Sequence, residues 1–220
     1  VPPIGWTAWS LYLLDSGERF GSTNAATERN NTESMIKAWI GTDYVAGVES
    51  EGRELTGSER AAISAMIRLS DDNAAETLYQ FRGADAVIKR LISECGLKAT
   101  VIVPGFWSYT QITADDAVTM MACVLGRSAT SPLTAWVVDE MRHVAPDGMF
   151  GIPQVLPAGS DPAVKNGWTL QSAENRWRLN CLATWDNRIL AVLTWYPAKL
   201  GQAHGESVCR DVTEQVLTLI

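Results

Sequence analysis

Short apolar runs bounded by turn residues occur near both ends of the chain and predict β-strands. The runs lie at 9–15, 19–22, 163–169, 176–185 and 188–196. The last two are separated by Asp186 and Asn187, a pair typical of a tight hairpin turn. Five strands from the two ends of the chain can form one antiparallel sheet, with the first and last helices packed against it.

In the middle of the chain, apolar residues recur at the three- and four-residue spacing of helices. One helix is predicted to begin within the stretch 30–44, where a polar run gives way to apolar positions. Thr56 and Glu59 have the spacing of a capping box, which predicts the start of a second helix ending near Leu69. Further helices are predicted at 74–82, 84–95, 113–125, 132–143 and 206–219. The segments 47–53, 98–111 and 146–162 are interpreted as loops or connections.

The order of these elements predicts an α/β (α+β) protein with two lobes. Residues 1–47 and 151–220 are expected to form a sheet lobe with a five-stranded antiparallel sheet flanked by helices. Residues 48–150 are expected to form an all-helical lobe inserted into it. At 220 residues the chain is long enough for two such intimately packed lobes.

Composition and charge limit the possible partners. The chain is 46% hydrophobic and 20% charged, as in an ordinary soluble globular protein. A net charge of −7 without a Lys/Arg run argues against nucleic-acid binding. The apolar run 189–195 is too short to cross a bilayer, so no transmembrane segment is expected. No signal sequence opens the chain, which means that a signal was removed or never existed.

Four cysteines without a Cys-x-x-Cys pair argue against a zinc knuckle or a dithiol redox site. Four buried free thiols and two disulfides are both compatible with this count. Of the three possible pairings we favour Cys95 with Cys123 and Cys181 with Cys209. In the order of the chain, each of these pairs lies within one half of the molecule.

The first candidate for chemistry is the pair Ser34 and Lys37. On a helix these residues share one face, one turn apart. A serine in the first turn lies among unpaired backbone N–H groups, which favour a developing anion. A lysine whose pKa is lowered by desolvation and a nearby positive charge can accept the proton of the serine. Taken alone, the pattern is weak, and a helix-capping serine with a solvated lysine is the more common reason for this spacing.

Two further motifs follow at suitable places in the predicted elements. Ser70-Asp71-Asp72 lies in a loop of the helical lobe, and Lys165-Asn166-Gly167 lies on the first strand after it. With Ser34-Met35-Ile36-Lys37, this order resembles the S-x-x-K, S-D-N and K-T-G motifs of penicillin-recognising serine enzymes. That superfamily contains the class A β-lactamases and the penicillin-binding D,D-peptidases. The resemblance extends over about residues 8–218 and includes the segments 66–75, 112–117 and 156–159.

The resemblance implies a role for each motif residue. Ser34 is expected to be the nucleophile, Lys37 its general base and Ser70 the relay of a proton to the leaving amine. Lys165 is expected to supply positive potential for a substrate carboxylate and to hold the pKa of Lys37 down. The backbone N–H groups of Ser34 and Trp168 are expected to form the oxyanion hole.

Gly167 is expected to allow close approach of the strand to the substrate. Asp72, Asn166 and Trp107 complete the residues expected at the substrate.

Three departures from the family pattern affect the expected chemistry. Asp72 replaces the asparagine of the second motif, so an acceptor-only carboxylate stands in place of an amide. Asn166 replaces the threonine of the third motif. The loop 98–111 contains no Asp or Glu, whereas class A enzymes carry a glutamate there that activates the deacylating water. Asp72 is the one acid expected near the site, and the loop offers Trp107 and aromatic neighbours instead.

The function expected from this resemblance is that of a serine acyl-transfer hydrolase on β-lactam or peptidoglycan-like amide substrates, with weak deacylation. The alternatives are a non-catalytic exported binding protein with the same fold, and an esterase-like hydrolase that uses the same serine. We expect an exported monomer, stabilised by disulfides, whose signal has been removed. No metal or other cofactor is expected, because His143 and His204 lie outside any ligand spacing.

Overall fold

The computed structural model describes residues 5–218. In it, strands from the first and last parts of the chain pair in one antiparallel sheet. The strands of the described chain are β1 (Trp6–Leu13), β2 (Arg19–Gly21), β3 (Asn30–Asn31), β4 (Gln111–Ile112), β5 (Ala163–Val164), β6 (Gly167–Gln171), β7 (Arg176–Trp185) and β8 (Arg188–Pro197). The helices are α1 (Lys37–Ser50), α2 (Gly57–Arg68), α3 (Asp72–Phe81), α4 (Asp85–Cys95), α5 (Ala114–Ser128), α6 (Pro132–Arg142) and α7 (Gln202–Leu217).

The main sheet has the order β2-β1-β8-β7-β5, and β6 also pairs with β7. The strand predicted at 163–169 is therefore divided into β5 and β6, and this division gives the sheet six strands. The cause lies at Asn166, whose side-chain Oδ1 accepts a hydrogen bond of 3.1 Å from the backbone N–H of Leu182. A side chain thus takes the place of a backbone acceptor, and the ladder is interrupted for two residues.

Both faces of the sheet are covered by helices. Along β8, Ile189, Ala191 and Leu193 belong to the core that the sheet shares with the helical part of the chain. Leu190 and Val192 alternate with them and belong to a second core, which includes residues of α7. This period of two is what a strand buried on both faces requires.

Helix α1 is buried on nearly every side, as expected for a helix with apolar residues around its circumference. The predicted capping box is present, because the side chain of Thr56 accepts from the backbone of Glu59 and that of Glu59 accepts from the backbone of Thr56. The prediction of a loop at 47–53 is wrong for its first part, since α1 continues to Ser50.

The four cysteines form two disulfides in the pairing favoured from the sequence. Cys95–Cys123 joins α4 to α5, and Cys181–Cys209 joins β7 to α7. Among the helices of residues 5–218, none has the length and apolar character needed to cross a membrane. Residues 1–4 and 219–220 lie outside the described residues. The prediction about a signal at the start of the chain and the predicted end of the last helix at residue 219 fall on these positions.

Candidate functional site

The three motifs meet at the N-terminal end of α1. Ser34 lies in a 3-10 turn, Glu33–Ile36, and Lys37 begins α1 directly after it. Ser70 lies between α2 and α3, and Lys165 lies between β5 and β6. The Nζ atoms of Lys37 and Lys165 are 3.3 and 3.0 Å from Ser70 Oγ, so both amines reach the same hydroxyl.

The segment before Ser34 is fixed by hydrogen bonds to the sheet and to the loop 98–111. The side-chain amide of Asn180, on β7, donates to the carbonyl oxygens of Asn31 and Thr32 at 2.7 and 3.2 Å. The backbone N–H of Thr32 donates to the carbonyl of Thr110 at 2.8 Å. Buried carbonyl groups with such partners lose little free energy on leaving water, so the turn that carries Ser34 is held in place.

Lys37 is fully buried, and its Nζ donates to Ser70 O at 2.7 Å and to Asp72 Oδ1 at 2.5 Å. Burial lowers the pKa of Lys37, whereas the nearby carboxylate of Asp72 opposes this shift. The hydrogen bonds of Nζ thus go to Ser70 and Asp72 rather than to Ser34. Catalytic contacts of this kind often tighten only when substrate binds.

Lys165 is 1% exposed, and besides Ser70 Oγ its Nζ contacts the carbonyl oxygen of Asn166 at 3.4 Å. Burial lowers the pKa of Lys165 well below its ordinary value, and the charge of Lys37 acts in the same direction. When both amines are protonated, their positive charges repel each other. This repulsion and the burial together favour a state in which one amine is neutral and able to accept a proton.

Ser70 has a φ of +56°, in the left-handed region that residues with a Cβ rarely adopt. This conformation directs both its carbonyl and its hydroxyl oxygen towards Lys37. When both lysine amines donate to Ser70 Oγ, both lone pairs of the hydroxyl are used, and its own proton is free for another acceptor.

Gly167 lies directly against the turn that carries Ser34. A Cβ at position 167 would lie 2.7 Å from the backbone N of Ser34, 2.6 Å from that of Met35 and 2.7 Å from the carbonyl oxygen of Thr32. Side chains do not tolerate such distances, so only glycine permits this approach. The close contact brings the start of β6, with Trp168, next to Ser34.

Asn166 is buried, and the structure directs its side chain to backbone groups rather than to the cleft. Its Nδ2 donates to the carbonyl oxygens of Gly148 and Phe150 at 3.0 and 2.9 Å, and its Oδ1 accepts from Leu182. These three bonds account for most of its hydrogen-bonding capacity. Asn166 therefore holds the backbone around Lys165.

A cavity of about 440 Å³ opens above Ser34. Of the predicted residues, Ser34, Asp72, Trp107 and Trp168 line it. The lining does not include the buried Lys37 and Lys165, nor Ser70, Asn166 and Gly167. The full lining consists of Glu33, Ser34, Asp72, Asn73, Glu76, Gly105, Phe106, Trp107, Ser108, Tyr109, Trp168 and Thr169.

The expectation that Asp72 is the one acid near the site is wrong, because Glu33 and Glu76 line the same cavity. Glu76 follows Asp72 by four residues on α3, and this helical spacing is the signal in the sequence that places the two on one face. Its Oε2 accepts a hydrogen bond of 2.9 Å from Trp107 Nε1. Glu33 is 3% exposed, and burial raises its pKa.

No periodicity in the sequence indicates that Glu33 is buried. Its backbone has a φ of +47°, so the chain turns sharply just before Ser34. The burial of its side chain is a consequence of this turn.

A sequence model of the family described as "Beta-lactamase enzyme family" matches residues 43–217. This range includes the motifs at Ser70 and Lys165 and begins after Ser34 and Lys37. Proteins of Mycobacterium tuberculosis and Mycobacterium bovis named "Putative lipoprotein LppW" are 30% identical over 168 residues, which is 72% of this chain and 53% of theirs. The chain therefore spans about half the length of these curated relatives.

Solved structures with a similar fold include a class A β-lactamase from Mycobacterium abscessus, with a TM-score of 0.79 and 18% identity over 98% of this chain and 94% of that one. A β-lactamase from Burkholderia vietnamiensis gives a TM-score of 0.76 and 19% identity over 95% of this chain and 88% of that one. Identities this low show the fold alone. Because the family match covers most of the sequence, the chain belongs to the β-lactamase enzyme family.

Proposed function

We propose that this protein is an exported serine acyl-transfer hydrolase that is acylated on Ser34 by β-lactam or peptidoglycan-like amide substrates and releases the acyl group slowly. The observation that carries the proposal is the convergence of two buried amines, Lys37 and Lys165, on the hydroxyl of Ser70 beside the cavity that contains Ser34. Buried titratable groups with shifted pKa values in a cleft are typical of catalytic sites.

In the proposed reaction, neutral Lys37 takes the proton of the Ser34 hydroxyl while Ser34 Oγ bonds to the carbonyl carbon of the substrate. The oxygen of the tetrahedral intermediate carries the negative charge and accepts hydrogen bonds from the backbone N–H groups of Ser34 and Trp168. The carbon–nitrogen bond then breaks. Ser70 gives its proton to the leaving nitrogen, and the ammonium of Lys37 returns a proton to Ser70.

Export is supported by the two disulfides, because such bonds persist in oxidising compartments. The name of the mycobacterial relatives as lipoproteins points to the cell envelope as well. We propose the same location for this chain.

The direct test is intact-mass measurement after incubation with a penicillin. We expect the mass of one penicillin to be added to the wild-type protein and none to Ser34→Ala, which lacks the nucleophile. Peptide mapping should place the adduct on Ser34. An unmodified wild-type protein at millimolar penicillin would contradict the proposal.

A second candidate, a binding protein that keeps the fold without turnover, is favoured by the ion pair between Lys37 and Asp72. At 2.5 Å, with a carboxylate whose side chain is 78% exposed, Asp72 can keep Lys37 protonated and unable to act as a base. Asp72→Asn removes this charge. If the ion pair prevents acylation, the variant should be acylated by penicillin while the wild type is not.

The role of Ser70 distinguishes the esterase-like alternative from a hydrolase that acts on amides. An alcohol or phenol leaves an ester without help more readily than an amine leaves an amide, so the proton from Ser70 matters less. Ser70→Ala should then retain hydrolysis of an activated phenyl ester if the protein is an esterase. Acylation of the wild type by penicillin that Ser70→Ala loses would favour the acyl-transfer proposal, whereas a wild type that hydrolyses the ester and forms no penicillin adduct would be an esterase.

A further inference from the structure

Strand β6 is bound to the sheet along one edge, through β7, while its other edge faces the turn that carries Ser34. Beyond the close contact at Gly167, a second connection joins β6 to this turn. It is made by the side chain of Glu33, the residue that precedes the nucleophile.

The carboxylate of Glu33 accepts hydrogen bonds from two residues of β6. Glu33 Oε2 accepts from Thr169 Oγ1 at 2.8 Å, and Oε1 accepts from Gln171 Nε2 at 3.2 Å. Asn31 Nδ2 donates to the same Oε1 at 3.3 Å. Since Thr169 and Gln171 are two residues apart, their side chains point to the same side of the strand, and one carboxylate bridges both.

The residues that this bridge joins, namely Glu33, Thr169 and Gln171, are in turn connected to groups beyond β6. Thr169 Oγ1 is also 2.7 Å from the carbonyl oxygen of Trp168, so the hydroxyl contacts the residue proposed for the oxyanion hole. On the other side, Asn31 accepts a hydrogen bond from Gln111 of β4. Arg178 on β7 is the cation whose charge acts on Glu33.

The conformation of Glu33 costs free energy that other contacts must supply. A φ of +47° in a residue with a Cβ is a strained backbone conformation that the surrounding contacts must stabilise. Burial of a carboxylate adds to this cost. A serine-bearing turn does not need a buried acid at this position for its own hydrogen bonds, since the carbonyl groups of Asn31 and Thr32 are satisfied by Asn180.

We propose that Glu33 is a positioning residue for acylation of Ser34: its carboxylate fastens β6 to the serine-bearing turn and so sets the separation of the backbone N–H groups of Ser34 and Trp168. This inference rests on the proposed function, in which those two groups form the oxyanion hole. Glu33 acts through the strand and does not touch the reacting atoms.

The test is a double-mutant cycle of Glu33→Gln and Thr169→Val, with acylation by penicillin followed by intact mass. Thr169→Val keeps the shape and β-propensity of the side chain and removes its hydroxyl. Each single variant should slow acylation roughly 10-fold, a part of the 10²–10³-fold effect of losing an oxyanion donor outright. The double variant should be no slower than the slower single variant, because both changes remove the same contact.

The matched control is Glu140→Gln, which changes another glutamate that is 3% exposed and ion-paired at 2.7 Å with Arg68. This variant should lower the melting temperature and leave the acylation rate of the folded protein unchanged. If the effects of Glu33→Gln and Thr169→Val multiply in the double variant, or if Glu140→Gln slows acylation as much, the positioning role is overturned.

Hydrogen–deuterium exchange provides a readout that does not depend on acylation. Peptides covering 167–171 should exchange faster in Glu33→Gln and Thr169→Val than in the wild type or in Glu140→Gln. If the wild type forms no adduct, the proposed function fails while faster exchange would still support the bridge. Unchanged exchange in both variants would overturn the bridge whatever the activity.

Discussion

At the scale of single residues, the proposed reaction depends on two lysines that are almost without solvent exposure. Water stabilises an ammonium group strongly, so burial shifts each amine towards its neutral form. The carboxylate nearest to Lys37, that of Asp72, is itself largely exposed and compensates only in part. The burial of both amines costs free energy, and in the proposed reaction it favours the neutral amine that accepts a proton.

Lys37→Arg tests whether proton transfer, rather than charge, is what Lys37 provides. A guanidinium keeps a positive charge and hydrogen-bond donors, but it does not deprotonate in the relevant range. We expect both Lys37→Arg and Lys37→Ala to abolish acylation by penicillin, measured by intact mass. An active Lys37→Arg variant would remove Lys37 from the role of base.

Lys165 gives a prediction about stability and pH. Its pKa is held well below the ordinary value of 10.5 by burial. Between the folded and the unfolded pKa the unfolded chain binds more protons, so the free energy of unfolding rises with pH until about 10.5. Below the folded pKa the cost of burial is present in full.

Lys165→Met should remove this cost, since methionine has a similar length and no charge. We expect the variant to be more stable than the wild type at pH 7 by roughly 1–4 kcal/mol, and the difference to shrink as the pH approaches 10. Urea unfolding at several pH values measures both effects. A variant that is less stable by the same amount at every pH would show that the hydrogen bonds of the amine outweigh its desolvation.

At the scale of elements, the sequence best predicts the helices and strands whose pattern lies within a few neighbouring residues. The capping box at Thr56 and the helical periodicity predicted α2, and turn residues predicted the hairpin of β7 and β8. Strands β3 and β4 have two residues each and pair across distant parts of the chain, so no periodicity could indicate them. The division of the strand at Asn166 depends on one side chain that replaces a backbone acceptor.

The site shows the same distinction. Each of the three motifs has its own local pattern, and their order predicted one shared region. In the structure Lys37 of the first motif and Lys165 of the third both contact Ser70 of the second. The presence of Glu33 at the cavity results from a left-handed turn and from contacts with β6, which is distant in sequence. Contacts of this kind depend on the tertiary fold and leave no local pattern.

The contact between β6 and the serine-bearing turn predicts the effect of Gly167→Ala. The added Cβ would meet three backbone atoms within 2.7 Å and push the strand away from Ser34. We expect acylation to fall by roughly 10²–10³-fold, as when an oxyanion donor is lost. Far-UV circular dichroism should change little, because β6 is paired with one strand only in the described sheet.

Gly126→Ala on α5 is the control for this substitution. Position 126 is exposed, and a Cβ there would meet nothing within 4 Å. Alanine should stabilise the helix by about 0.5–1 kcal/mol and leave acylation unchanged. Normal acylation of Gly167→Ala would show that β6 can shift without affecting the site.

At the scale of the whole molecule, the cavity lies where the helical part of the chain meets the sheet. One side is formed by α3 and the loop 98–111, and the other by the serine-bearing turn and β6. Each side carries some of the residues of the proposed reaction. The two disulfides join α4 to α5 and α7 to β7. Acylation and deacylation place different demands on these two sides.

In the proposed reaction, acylation uses Ser34, the two lysines, Ser70 and the start of β6. Deacylation needs in addition a base that activates water, and class A β-lactamases draw it from the loop that here contains no carboxylate. The loop presents Trp107, Phe106 and Tyr109 to the cavity, the last two stacked with ring centroids 5.6 Å apart. We expect apolar rings at this place to exclude water from the ester of the proposed acyl-enzyme.

We expect Ser34 to be acylated readily and the resulting acyl-enzyme to be hydrolysed slowly. With a chromogenic cephalosporin, we expect a burst of about one equivalent followed by turnover near background, because general-base assistance of roughly 10²–10⁴-fold is missing. Of the acids that line the cavity, Glu76 on α3 contacts the loop 98–111, yet its Oε2 already accepts a hydrogen bond from Trp107 Nε1 at 2.9 Å. Rapid multiple turnover that disappears in Ser34→Ala would contradict the prediction. Its disappearance in Glu76→Gln as well, with the burst retained, would identify Glu76 as the base.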